Sequence, residues 1–290
     1  MIPSIEHVIL ADSRHAVTAL GYVGEQAPTG YIVSSLSGFY SMPDLKVTQT
    51  ERETGNGAFD VAESEVLYAA RTITLGLVIM GENRADVMGK LNEVLKFAGR
   101  NLRIEVHDGE LATYCEGHCR AQVGDMVSDE AATATLTIVC PRPERLSVSA
   151  HVATMTPSTG TTDGLQYDDS QVLEWPLNYG EVGESRNGCT ISNDGTYTAS
   201  PTITASGDFP GGFAVYDAKT NKCLKYSQPV TWAGVTLDSR SRTASASGVD
   251  VTRYLTSRDF PTVSAGGSTS LFLVANGTGV ITCEVRDTYM

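Results

Sequence analysis

The chain has 290 residues, of which 41% are hydrophobic and 19% charged, and carries a formal charge of −13 at pH 7. That size and composition predict a folded protein of two domains and exclude a disordered chain. Acid outnumbers base up to Ala150, 20 against 12, and beyond it, 14 against 9, so neither half offers the basic face that nucleic acid or an anionic membrane requires.

The start of the chain, Met1-Ile2-Pro3-Ser4-Ile5-Glu6-His7, has neither the basic segment nor the apolar stretch of a secretory signal, which predicts synthesis in a host cytoplasm. Six cysteines (115, 119, 140, 189, 223 and 283) are then expected as reduced, partly buried thiols. The first clear element is a strand over 71–80, rich in β-branched residues. Thr74 and Gly76 interrupt its apolar run, which falls far short of the roughly 20 residues of a membrane-spanning helix.

A helix is predicted over 84–98, where Val87, Leu91, Val94, Leu95 and Ala98 form one stripe. Asn83 is placed to cap its start, and Gly99 to end it in a left-handed conformation. Period-two alternation follows over 101–107, with Leu102, Ile104 and Val106 on one face. Asp108-Gly109 turns that strand into another over 111–123. Ala134, Leu136, Ile138 and Cys140 mark one more, stopped by Pro141-Arg142-Pro143. A domain over 1–150 is thus mainly β with one helix.

Residues 154–162, small, polar and broken by Pro157 and Gly160, predict a connector, set at 151–165. The second domain, 166–290, shows turn signals at Asn187-Gly188, Asp194-Gly195, Gly211-Gly212 and Asn276-Gly277. Between them, strands are expected over 196–205, 213–216, 223–226, 235–238, 270–275 and 280–286, with Ile281, Cys283 and Val285 on one side of the last. Many short strands with regular turns imply a β-sandwich, so the expected fold is two β-sandwich-like domains.

Several of these features, in order, resemble the distal tail proteins of siphophages. In the first half they are Gly55-Asn56-Gly57, Arg71-Thr72-Ile73-Thr74-Leu75, Gly81, the single helix, and Cys140-Pro141. In the second they are Asn187-Gly188, the stretch from Ala199-Ser200-Pro201 to Ser206-Gly207, Asp238-Ser239-Arg240, Phe260-Pro261 and Gly266-Gly267. The resemblance spans roughly residues 50–290, and residues 1–50 match least well. It implies a homo-hexameric ring at the distal end of the tail tube, formed by the first domain, with a galectin-like second domain outside it. It also implies partners in the tail tube protein, the tail-tip hub or tail-associated lysin and the receptor-binding proteins, and a place in the virion. A carbohydrate-binding module on host cell-wall glycan is the alternative.

The chemical candidates are weak beside it. Cys115, His118 and Cys119, completed by Cys140 or His107, have zinc-ligand residue types. On a strand, however, Cys115 and Cys119 stand about 13 Å apart at roughly 3.3 Å per residue. Asp168, Asp169 and Glu174 offer glycosidase-type carboxylates with nothing to fix their separation. Trp175, Tyr179, Tyr197, Tyr216, Tyr226 and Trp232 include candidates for a sugar-stacking platform, though aromatic residues more often build cores. The sequence contains no nucleophile elbow or phosphate-binding glycine loop, and Asn276-Gly277-Thr278 matches a glycosylation acceptor only if the protein is secreted. The reading therefore assigns no catalytic, cofactor-binding or metal-ligating residue and no enzymatic activity.

Overall fold

The computed structural model describes residues 5–21, 30–48, 50–62, 66–124, 128–158 and 186–290. The chain divides into two compact units, one of Met1–Ser149 with Thr288–Met290 and one of Ala150–Asp287. Among the described residues no helix is long and apolar enough to cross a membrane.

The first unit is built on β1 (His7–Ala11), β2 (Ala16–Leu20), β3 (Tyr31–Ser37), β4 (Arg71–Met80), β5 (Asn101–Asp108), β6 (Leu111–Val123) and β7 (Ala131–Cys140). Their pairing order is β6-β5-β1-β2-β3-β4-β7, and β7 pairs again with β6, so seven strands close into a barrel. Closure removes the free edges that an open sheet would expose. The length of β6 makes it possible: residues 111–118 pair with β5, while residues 118–123 pair with β7. Gly117 sits at the junction, where a Cβ would come 2.4 Å from the carbonyl oxygen of Val139. Two short strands extend the sheet beyond β6, β8 (Arg145–Ser147) and β20 (Thr288–Tyr289), so the end of the chain returns to the first unit.

Alternation decides what fills the barrel. Along β4, Ile73, Leu75, Leu77 and Ile79 are buried, as are Leu102, Ile104 and Val106 of β5 and Ala134, Leu136, Ile138 and Cys140 of β7. Each large apolar side chain so buried contributes roughly 1.5–3 kcal/mol. The expected strand faces are therefore the observed ones. The helix α1 (Arg84–Leu95) adds Leu91 and Val94 to the same core.

Asn83 caps α1 as expected, its side chain accepting the N–H of Asp86 at 3.0 Å. Replacing Asn83 with alanine is expected to cost about 1 kcal/mol, read as a shift in the urea midpoint of the first unit. The far end departs from the expected stripe. After Lys96 the chain tightens, with Phe97 N–H donating to Val94 and Ala98 N–H to Leu95. Turning about 120° per residue instead of 100° places Phe97 in the core and leaves Ala98 exposed.

The second unit is a sandwich of two antiparallel sheets. One has the order β10 (Gly188–Asn193), β18 (Gly267–Ala275), β12 (Phe213–Asp217), β13 (Cys223–Tyr226), β17 (Leu255–Arg258). The other has β16 (Val249–Asp250), β15 (Thr243–Ala246), β14 (Val235–Asp238), β11 (Thr202–Ser206), β19 (Val280–Val285), β9 (His151–Met155). Ile191, Phe209, Val215, Leu224, Leu237, Leu271 and Ile281 fill the space between them. β9 lies within the expected connector, but it pairs with β19 from Met155↔Ile281 to His151↔Val285 and is thus a sandwich strand. Residues 159–165 of that connector lie outside the described residues.

Candidate assembly surface

Between β3 and β4 the chain forms a long two-stranded arm. Lys46 N–H donates to Leu67, Ala69 N–H to Asp44, Phe59 N–H to Thr50 and Arg52 N–H to Gly57. The tip is Gly55-Asn56-Gly57, with φ of +104° and +84° at its glycines, values that side chains with a Cβ rarely adopt. Most described residues of the arm are exposed, and Met42, Leu45, Phe59 and Leu67 are 55–62% exposed. A two-stranded hairpin is marginal in water on its own, and one with four exposed large apolar side chains has the character of an interface.

A buried arginine fixes the root of this arm. Arg71 opens β4 at an inward-facing position and is 1% exposed. Its Nη1 donates to the carbonyls of Gly38 (2.9 Å), Phe39 (2.7 Å) and Ser41, and its Nε to Pro143 (2.6 Å). Arg145 lies beside it, its guanidinium carbon 5.4 Å, 5.0 Å and 5.5 Å from the ring centres of Phe39, Tyr40 and Tyr289. Burial pulls both arginines below their ordinary pKa, and Arg71 pulls Arg145 lower still, yet an arginine stays charged throughout the accessible pH range. Burial and the adjacent Asp108 carboxylate, which accepts the Tyr40 hydroxyl at 3.2 Å, push the Tyr40 phenol up to about 12. Carbonyl oxygens and aromatic faces thus surround the two guanidinium groups, with the Glu144 carboxylate near enough to act on Arg71. The sequence signal for Arg71, an arginine at the head of a β-branched strand, does not reveal that it turns inward.

The residues singled out as chemical candidates are dispersed. Cys115 and Cys119 lie on the buried face of β6 and His118 on its exposed face, so the three do not converge. Cys115 and Cys140 do meet, inside the barrel near Arg71 and Arg145. His107 stacks on His7 at 4.2 Å and pairs with Glu105 at 2.6 Å. Asp168, Asp169, Glu174, Trp175 and Tyr179 lie outside the described residues. Tyr226 is buried, Tyr197 and Tyr216 are half-buried, and Trp232, 90% exposed, stacks on no ring among the described residues. The described aromatic residues therefore form no platform.

A group that sequence inspection missed joins His151, Asp194 and Asp287, whose ligand-type atoms lie within 4.8 Å of one another. His151 Nε2 is 3.3 Å from the Asp287 carboxylate, which also accepts the N–H of Asp194 at 2.7 Å. These contacts tie the end of β10 to the end of β19. Residues 136 positions apart carry no joint signal in the sequence.

No family model matches the sequence, and no curated protein matches it. Solved structures do. The Dit protein (gp 19.1) of phage SPP1, described as a paradigm of the hub adsorption apparatus in phages infecting Gram-positive bacteria, matches with a TM-score of 0.56 and 14% identity, over 90% of this chain and 94% of that one. Two structures of the phage P2 baseplate in its activated conformation, with Ca and with Sr, match with TM-scores of 0.49 and 0.47, each at 9% identity over 96% of this chain and 97% of that one. The chain has, over nearly its full length, the fold of a phage distal tail protein.

Proposed function

We propose that the chain is a structural component of a phage tail tip, a baseplate hub that forms a six-membered ring at the distal end of the tail tube and joins it to the host-recognition apparatus. The observation that carries this reading is the match to the SPP1 protein across both units, at similar overall length. The exposed apolar arm between β3 and β4 supports it, because a surface of that kind gains stability by packing on a neighbouring copy. In this reading the first unit forms the ring and the second, a galectin-like domain, lies outside it. The tail tube protein, the hub or lysin and the receptor-binding proteins are its partners. The work is mechanical and not enzymatic. Six copies at −13 each carry −78 together, which gives the ring a lumen that does not hold the passing genome.

Negative-stain imaging and light scattering of the purified chain test this. Six-fold rings are expected for the wild type. A double variant, Phe59→Asp with Leu67→Asp, is expected to stay monomeric while keeping the circular dichroism spectrum of the wild type, because both side chains are solvent-facing in the isolated chain. A wild type that remains monomeric, is absent from purified virions and is retained as a monomer by a host-wall glycan column would favour the carbohydrate-binding alternative. A lumen lined with lysine and arginine would remove the electrostatic part of the proposal.

A further inference from the structure

Two thiols of the second unit are placed for a reaction that a purely mechanical role does not use. Cys189 lies on β10 in one sheet, and Cys283 on β19 in the other. Along β10, alternation turns Cys189, Ile191 and Asn193 to the inner face, and along β19 it turns Ile281, Cys283 and Val285 inward.

Facing sheets ordinarily stand about 10 Å apart, whereas disulfide-linked residues need Cα atoms within roughly 4.4–6.8 Å. At this edge of the sandwich the two sheets converge. The carbonyl of Arg186, just before β10, accepts the N–H of Thr156, just after β9, at 2.9 Å. At the other end the Asp287 carboxylate accepts the N–H of Asp194. β10 is therefore tied at both ends to the β9 and β19 pair, and its Cα atoms come within 8 Å of those of β19. In that corner the two inward-facing thiols lie close enough to shift each other's ionisation.

We propose that Cys189 and Cys283 form a cross-sheet dithiol that closes to a disulfide when the protein meets a low-molecular-weight disulfide such as oxidised glutathione, locking the converging edge of the sandwich. Cys189 is half-buried and Cys283 fully buried, which fixes the order of events. The Cys189 thiolate attacks one sulfur of oxidised glutathione, forming a mixed disulfide and releasing one glutathione thiolate. Cys283 then gives up its proton and attacks the Cys189 sulfur, releasing the second glutathione. Two protein thiols are oxidised and one glutathione disulfide is reduced to two thiols. The neighbouring Cys283 thiol lowers the Cys189 pKa against the opposing effect of burial, and Cys189 raises that of Cys283, so the reachable sulfur is also the better thiolate.

The remaining cysteines provide the contrast. Cys115 and Cys140 are also neighbours, but the Cys115 thiol donates to the Glu144 carbonyl and both sulfurs are buried inside the barrel, where no oxidant reaches them. Cys223 is half-buried and its neighbour is the Tyr216 hydroxyl, not a second thiol, so it stops at a glutathione adduct.

The test incubates the full chain with oxidised glutathione and maps it by mass spectrometry without reduction. A peptide pair joined through Cys189 and Cys283 is expected, with a mass about 2 Da below that of the two thiol peptides. The unfolding temperature of the second unit should rise by roughly 10 °C, because a long loop is closed, and should fall back on reduction. Cys189→Ser should abolish the link, and Cys283→Ala should leave glutathione trapped on Cys189. A stable glutathione adduct on Cys189 in the wild type, a link through any other pair, or no reaction while Cys223 is modified would each overturn the proposal.

Discussion

Replacing Arg71 with methionine is expected to lower the stability of the first unit by about 3–5 kcal/mol, a fall of roughly 10–15 °C in its unfolding temperature. The guanidinium supplies donors to four backbone carbonyls, those of Gly38, Phe39, Ser41 and Pro143. Methionine fills similar space with no donor, and each buried acceptor left unsatisfied costs about 1–3 kcal/mol. Two effects oppose this loss. The variant no longer buries a charge, and it relieves the repulsion that Arg71 exerts on Arg145. Lost hydrogen bonding to a charged donor outweighs them, because four carbonyls on two separate segments lose their donor at once. Arg71→Lys should fall between, since one ammonium cannot reach both segments. Calorimetry of the full chain should show the first unit shifted and the second unmoved, and residues 41–70 should become sensitive to protease. An unchanged transition in Arg71→Met would show that the cluster is ornamental.

Truncating Phe209 to alanine should be nearly as damaging to the second unit, at about 3–5 kcal/mol. Phe209 is fully buried, its ring centre lies 5.7 Å from that of Phe213, and its backbone exchanges two 3.0 Å hydrogen bonds with Val230. The cavity cannot close easily, because the residue against the ring is Gly279, which has no side chain to move into the space. The same contact predicts the reverse defect. A Cβ at position 279 would lie 2.1 Å from the Phe209 ring, so Gly279→Ala overpacks the site. Combined with Phe209→Leu, Gly279→Ala should cost less than the two changes summed, because the smaller side chain makes room for the added methyl. Strict additivity in a double-mutant cycle would show that the two positions do not share the site.

Expectation and structure agree where the signal is local. The alternation in β4, β5 and β7 and the Asn83 cap needed only neighbouring residues to be read. The strands that escaped notice, β1–β3, β8, β10, β15–β17 and β20, have two to seven residues each, too few for a period to stand out. β9 was hidden because its threonine and alanine suit an exposed connector as well as they suit a strand.

The candidate surface was half legible in the same way. The two glycines of Gly55-Asn56-Gly57 are a turn signal, but nothing in the sequence tells that the flanking apolar residues stay outside the core. Met42, Leu45, Phe59 and Leu67 are the residue types from which cores are made, and only the folded chain shows that the barrel fills without them.

By itself the sequence determined a β-rich chain with one capped helix, acidic throughout, whose strands carry their apolar residues on one face. These properties follow from side-chain period, capping chemistry and charge, which act over a few residues. Tertiary structure alone decided that β6 closes the first sheet against β7, that residues 288–290 return to the first unit, that Arg71 and Arg145 are buried side by side, and that Cys189 meets Cys283 across the sandwich. Each of these joins segments far apart in the chain, and the free energy that selects such pairings comes from packing the whole core and not from any stretch of sequence.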